Sequence, residues 1–111
     1  MNVRITALSV AGALAVASHG ANATIDDTKA EEIMNKSGCA ACHHVDKKLV
    51  GPAYKEVAKT HKGQKYAVAA LTRKVRTGGA GVYGQIAMPP NSPSQISDAD
   101  LKAMVDWIIS K

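Results

Sequence analysis

Four stretches of the chain carry apolar residues at helical spacing, and none alternates apolar and polar positions over the length of a strand. In the first, Ala30, Ile33, Met34 and Ser37 share one side of a helix expected over about Asp26 to Ser37, with Gly38 as its stop. Thr28 and Glu31, three apart, have the spacing of a capping box. A second, short helix is expected to start at Pro52, a residue suited to the first helical position, and to carry Ala53, Tyr54, Val57 and Ala58. The third is expected over about Lys65 to Thr77, with Val68, Leu71 and Val75 on one side and Gly78-Gly79 at its end. The fourth has the clearest pattern. Ser97 caps it, Asp98 and Asp100 sit in its first turn where the helix dipole favours anions, and Lys111 lies at its end. Leu101, Val105 and Ile108 form its stripe, flanked by Met104 and Trp107. Between the third and fourth helices runs a Gly- and Pro-rich segment from Gly78 to Ile96, long for so small a domain and therefore expected to be functional.

The first residues follow a different pattern. Met1 to Arg4 is a short basic start, Ile5 to Ala17 an apolar run, and Ala21-Asn22-Ala23 a small-x-small site. Residues 1–23 are therefore expected to be a cleaved secretory signal peptide, since the apolar run is shorter than the roughly 18 residues that a membrane span needs. An uncleaved anchor is the competing reading. The expected mature chain, residues 24–111, is one all-α domain with no internal repeat and no interdomain linker. That is small for a purely apolar core, and such chains usually rely on a metal, disulfides or a cofactor. Aromatic bulk is also scarce, with three Tyr, one Trp and no Phe in the whole sequence. Some other body must fill the interior. Without Arg4, 13 Lys and Arg stand against 9 Asp and Glu, a net of +4. No arginine-rich run or row of stacking aromatics accompanies that charge, which disfavours nucleic acid as a partner. The lysine excess can steer an acidic protein partner.

Cys39-Ala40-Ala41-Cys42-His43 supplies the missing body. The spacing C-x-x-C-H is that of c-type haem attachment. Two thiols one turn apart can add to the two vinyl groups of a porphyrin, and the next residue offers an imidazole to the iron. A thioredoxin-like pair would need a βαβ context, and a zinc site four converging ligands; neither context is visible. His43 is thus the expected proximal ligand, with His44 left at the surface. For the sixth position Met34, Met88, Met104, His44 and His61 are available. Met34 and Met104 lie on helix faces, where methionine is usually core packing. Met88 lies outside any helical stripe, and Pro89-Pro90 restrain the backbone beside it. It is the favoured ligand. A thioether there raises the potential relative to bis-histidine ligation, and two protein ligands on the iron argue for a carrier and against an enzyme.

Taken together, Cys39 to His43, Gly51-Pro52-Ala53-Tyr54, Met88-Pro89-Pro90-Asn91 and the closing Trp107-Ile108 helix resemble the small bacterial class I cytochromes c of the c-551/c-552 type. The resemblance covers essentially the whole of residues 24–111. It implies about four helices wrapped around one covalently bound haem c. It also implies that the Pro52 carbonyl accepts a hydrogen bond from His43, that Asn91 lies near the Met88 sulfur, and that Trp107 packs between helices close to the haem. Many members have Trp at the position of Tyr83, bonding a haem propionate, and aromatic residues where Met34 and His61 stand here. The expected function is that of a monomeric periplasmic shuttle, with no stable membrane insertion after cleavage. It would carry single electrons between a donor complex and a reductase or oxidase, with Lys36, Lys47 and Lys48 near the docking surface. Two rivals remain. One is a haem enzyme or gas sensor with a labile sixth ligand; the other is an assembly module with a CxxC disulfide.

Overall fold

The computed structural model describes residues 24–111 together with Gly12, Ala13 and Ala15, so the expected signal segment otherwise lies outside the described residues. Four helices form: α1 (Asp27–Lys36), α2 (Tyr54–His61), α3 (Ala67–Thr77) and α4 (Asp98–Ile109), with a single 3₁₀ turn at Cys39–Ala41 between α1 and α2. Among the described residues the only extended pairings are two isolated bridges, His43 with Lys48 and Gly79 with Met88. No helix of the described residues is long and apolar enough to cross a membrane.

Helix α4 is central and packs against α1, α2 and α3. Its stripe of Leu101, Met104, Val105 and Ile108 is buried, and Val105 and Ala30 are fully enclosed. Ile33 and Met34 from α1, Tyr54 and Val57 from α2, and Ile96 complete one cluster with Trp107. The ends of α1 and α4 are joined by Asp27. Its carboxylate accepts from Trp107 Nε1 at 2.9 Å and from Lys111 Nζ at 2.8 Å, while the Lys111 ammonium lies 4.2 Å from the centre of the indole ring.

One helix cap and two helix starts differ from the pattern-based expectation. Asp26 caps α1 by accepting from the Lys29 amide at 2.7 Å, so the Thr28–Glu31 pair lies inside the helix instead of framing it. Helix α2 begins at Tyr54, two residues after Pro52, because the Tyr54 and Lys55 amides are held by the His44 and Val45 carbonyls. Helix α3 begins at Ala67. Its inner face is Ala67, Leu71 and Val75, four residues apart, which turns Val68 outward to 39% exposure. The Ser97 cap on α4 forms as expected, its hydroxyl accepting from the Asp100 amide at 3.1 Å.

Ile33→Ala is expected to cost about 3 kcal/mol, within the range for truncating a buried aliphatic side chain. The check is a lower denaturant midpoint with an unchanged slope. The Lys111 hydrogen bond, and then that of Trp107, holds the Asp27 carboxyl below the usual carboxylate range. A depressed native value means stability that is present above the unfolded pKa of about 3.9 and lost as pH falls through the lower native value. The melting temperature of the wild type is therefore expected to fall more steeply below pH 4 than that of Asp27→Asn, with the variant already lower at pH 7.

Candidate functional site

An apolar cleft of about 310 Å³, in the size range of ligand pockets, opens between α2, α3, α4 and the two long loops. Leu101, Met104, Val105 and Ile108 of α4 and Ile96 line its interior. Cys39, Cys42, His43, Gly51 and Pro52 line it from one loop, and Gly79 to Pro89 from the other. The chain leaves this volume unfilled by its own side chains.

The cysteine loop is built in short steps. Gly38, at φ +80°, takes the left-handed turn that ends α1 and leads into the 3₁₀ turn. Side chains three apart eclipse in a 3₁₀ turn, so Cys39 and Cys42 come to the same side, and both are free thiols lining the cleft. Burial raises the Cys39 thiol above its ordinary pKa. The Cys42 and His43 amides close on the Cys39 carbonyl at 3.1 and 2.9 Å. His43 Nδ1 lies 2.8 Å from the Pro52 carbonyl oxygen, which can only accept, so Nδ1 is the donor of this bond and in the neutral imidazole the lone pair is on Nε2, turned away from Pro52. The imidazole stacks on Tyr54 with centroids 5.1 Å apart and planes 14° apart.

The second loop is anchored at Met88. Its amide donates to the Gly79 carbonyl and its carbonyl accepts from the Gly79 amide, both at 3.0 Å. The Asn91 amide N–H donates to Val75 O at 3.0 Å, and its side chain donates to Pro89 O at 3.0 Å and more weakly to Val75 O at 3.4 Å. Asn91 thus ties the loop to α3.

Five side chains were open as the sixth ligand, and only Met88 and Met104 line the cleft. Met34 is in the core beside α4; His44 Nδ1 accepts from the Asp46 and Lys47 amides; His61 pairs with Gln64. Met104 is buried among the α4 core residues, whereas Met88 sits partly exposed on the loop. Trp107 stands one layer behind the cleft, because its indole nitrogen is drawn to Asp27 and its ring meets Tyr54 edge-on at 5.9 Å. Lys48 is at the cleft, while Lys36 and Lys47 are exposed outside its lining.

Pattern reading passed over two residues that shape the site. A Cβ on Gly51 would come within 2.7 Å of His43 Cε1, so only glycine lets the loop cross the imidazole. Gly78, at φ +67°, passes so close to the Met88 carbonyl that a Cβ would collide with it. No periodicity reports such a contact. Gly51 was legible only as part of a motif, and Gly78 only as a helix stop.

The residues present fit a haem. The cleft walls are apolar, two free thiols and an imidazole whose Nδ1 is already bonded to Pro52 are provided from one loop, and a thioether from the other. The Tyr83 hydroxyl, which also lines the cleft, is buried with no partner among the described residues. A buried hydroxyl left so is costly unless a polar group of a guest meets it. Among the described residues no three His, Cys, Asp or Glu side chains gather as a metal cage would require.

Known proteins agree with that fit. A family model described as cytochrome c oxidase, cbb3-type, subunit III matches residues 25–108. The chain is 47% identical over 78 residues to cytochrome c2 of Rubrivivax gelatinosus, which covers 70% of this chain and 92% of that protein. Cytochrome c552 of Nitrosomonas europaea superposes with a TM-score of 0.66 at 44% identity, covering 72% of this chain and 96% of its own. The class 1 cytochrome MtoD of Sideroxydans lithotrophicus gives 0.67 at 32% identity, covering 78% and 96%.

Gly51→Ala is expected to push the His43 ring out of its place between Tyr54 and Pro52. The cost should be about 1–3 kcal/mol, as for other overpacked sites. Denaturant titration and a displacement of the His43 ring proton resonances would register it.

Proposed function

The chain belongs to the small bacterial class I cytochromes c of the c-551/c-552 type, electron carriers that bind one haem covalently, and from that premise we propose that it is a periplasmic one-electron shuttle with His43 and Met88 as axial ligands and Cys39 and Cys42 as attachment points. The observation that carries the ligand reading is the company His43 keeps: its proton is committed to Pro52, which leaves Nε2 to bind, and it shares one cleft with both thiols and Met88. When bound, the haem iron supplies the one-electron couple.

The remaining work falls to the chain. Pro52 fixes the imidazole tautomer and orientation and strengthens it as a donor. Met88, held by its two bonds to Gly79, offers a thioether, which favours the reduced state relative to a second imidazole. Tyr83 offers its buried hydroxyl to a polar edge of the guest, and the walls from α4 exclude water. With both His43 and Met88 on the iron, no coordination site would stand open for a substrate, which favours a carrier over an enzyme or gas sensor. The signal peptide read over residues 1–23 supports export, and in bacteria haem is attached to C-x-x-C-H sites on exported chains. Redox partners would be met transiently, by a monomer whose Lys48 lies at the cleft with Lys36 and Lys47 nearby in the chain.

The test is the optical spectrum of the ferric protein exported from a host that matures c-type haem. A weak long-wavelength sulfur-to-iron band is expected in the wild type and in Met104→Leu, and is expected to be absent in Met88→Ala. Carbon monoxide should bind the reduced Met88→Ala protein readily and the wild type poorly. Survival of the band in Met88→Ala would refute the axial assignment.

A further inference from the structure

We propose that Arg76 is a positioning residue for Met88: it acts as a clasp that closes the segment after Met88 onto α3 and α4 and so limits how often the thioether leaves the iron. The inference rests on the reading of Met88 as the sixth ligand.

Residues 89–97 leave Met88 and return to α4 without regular structure, so their carbonyls need other partners. Pro89 O and Ser92 O are met within the segment, and Arg76, one residue before the end of α3, supplies the partner for Asn91 O and Ile96 O. Its Nη1 donates to Ile96 O at 2.8 Å and to Asn91 O at 3.2 Å, and its Nη2 meets Asp98 Oδ1 in the first turn of α4 at 2.5 Å. One planar group thereby joins α3, both ends of the loop and the start of α4.

The contacts differ in weight. The Asp98 side chain is 89% exposed, so the ion pair is screened and adds little. The Arg76 side chain is only 20% exposed, and its carbonyl bonds are partly buried and charge-assisted. Asn91 is gripped twice by consecutive residues of α3, through its carbonyl by Arg76 and through its amide N–H by Val75 O. Met88 is thus held through its own amide and carbonyl by Gly79 and, three residues on, by this clasp. A lysine, with its single point-like charge, cannot span two carbonyls and a carboxylate as the guanidinium fork does.

The test is the rate at which cyanide displaces the sixth ligand of the ferric holoprotein, which reports how often Met88 comes away. Arg76→Met, which keeps the aliphatic stem, is expected to speed displacement about tenfold or more while retaining the long-wavelength band at neutral pH. Arg76→Lys should lie close to Arg76→Met, and Asp98→Asn close to wild type. Ile33→Ala, which destabilises the fold away from the loop, should speed displacement much less at equal loss of global stability. Wild-type rates in Arg76→Met and Arg76→Lys would overturn the clasp while leaving the ligand reading intact. An equal acceleration in Ile33→Ala would also overturn it, by reducing the effect to global stability. Should the band persist in Met88→Ala, the ligand reading falls and the clasp falls with it.

Discussion

The fold is organised around an apolar volume that its own side chains do not fill. With no phenylalanine and a single tryptophan, the chain has little bulk with which to close its loops over α4, and Leu49, Val50, Val82 and Ile86 stand exposed around a cleft floored by Leu101, Met104, Val105 and Ile108. Such a surface is tolerable only if a large flat guest covers it, since the hydrophobic gain scales with apolar area removed from water. A covalently held haem meets that need and removes the entropic cost of recapturing the guest.

Around the cleft, the two functional loops are held by backbone groups more than by packing. The Pro52 carbonyl sets the His43 proton, Gly79 pairs with Met88, and Val75 and Arg76 hold Asn91. Loops without regular structure must satisfy their carbonyls and amides individually, and here that obligation fixes the positions of His43, Met88 and Asn91. A carrier benefits, because ligands that stay in place through both oxidation states keep the reorganisation on electron transfer small. Behind His43, the stack of Tyr54 and the edge-on contact with Trp107 give the imidazole a rigid backing that reaches the Asp27–Lys111 pair at the surface.

Much of this was visible in the one-dimensional pattern. Apolar spacing determined that four helices form and which side of α1 and α4 faces inward, because a 3.6-residue period has one buried solution. The C-x-x-C-H spacing determined the cofactor, because two thiols and an imidazole in that order suit few other tasks. Helix starts were less legible, since the Tyr54 and Lys55 amides are held by the His44 and Val45 carbonyls and the Ala67 amide by Gln64 O, all outside the helices. Tertiary structure alone decided that His61 lies away from the cleft while Met104 lines it, that Trp107 stands a layer back, and that Gly51 and Gly78 permit close approaches no side chain would allow. It also decided that Arg76, an ordinary basic residue in a helical pattern, spans three elements. Periodicity records which way a residue faces along its own helix; which distant backbone group it meets depends on how the chain returns through space.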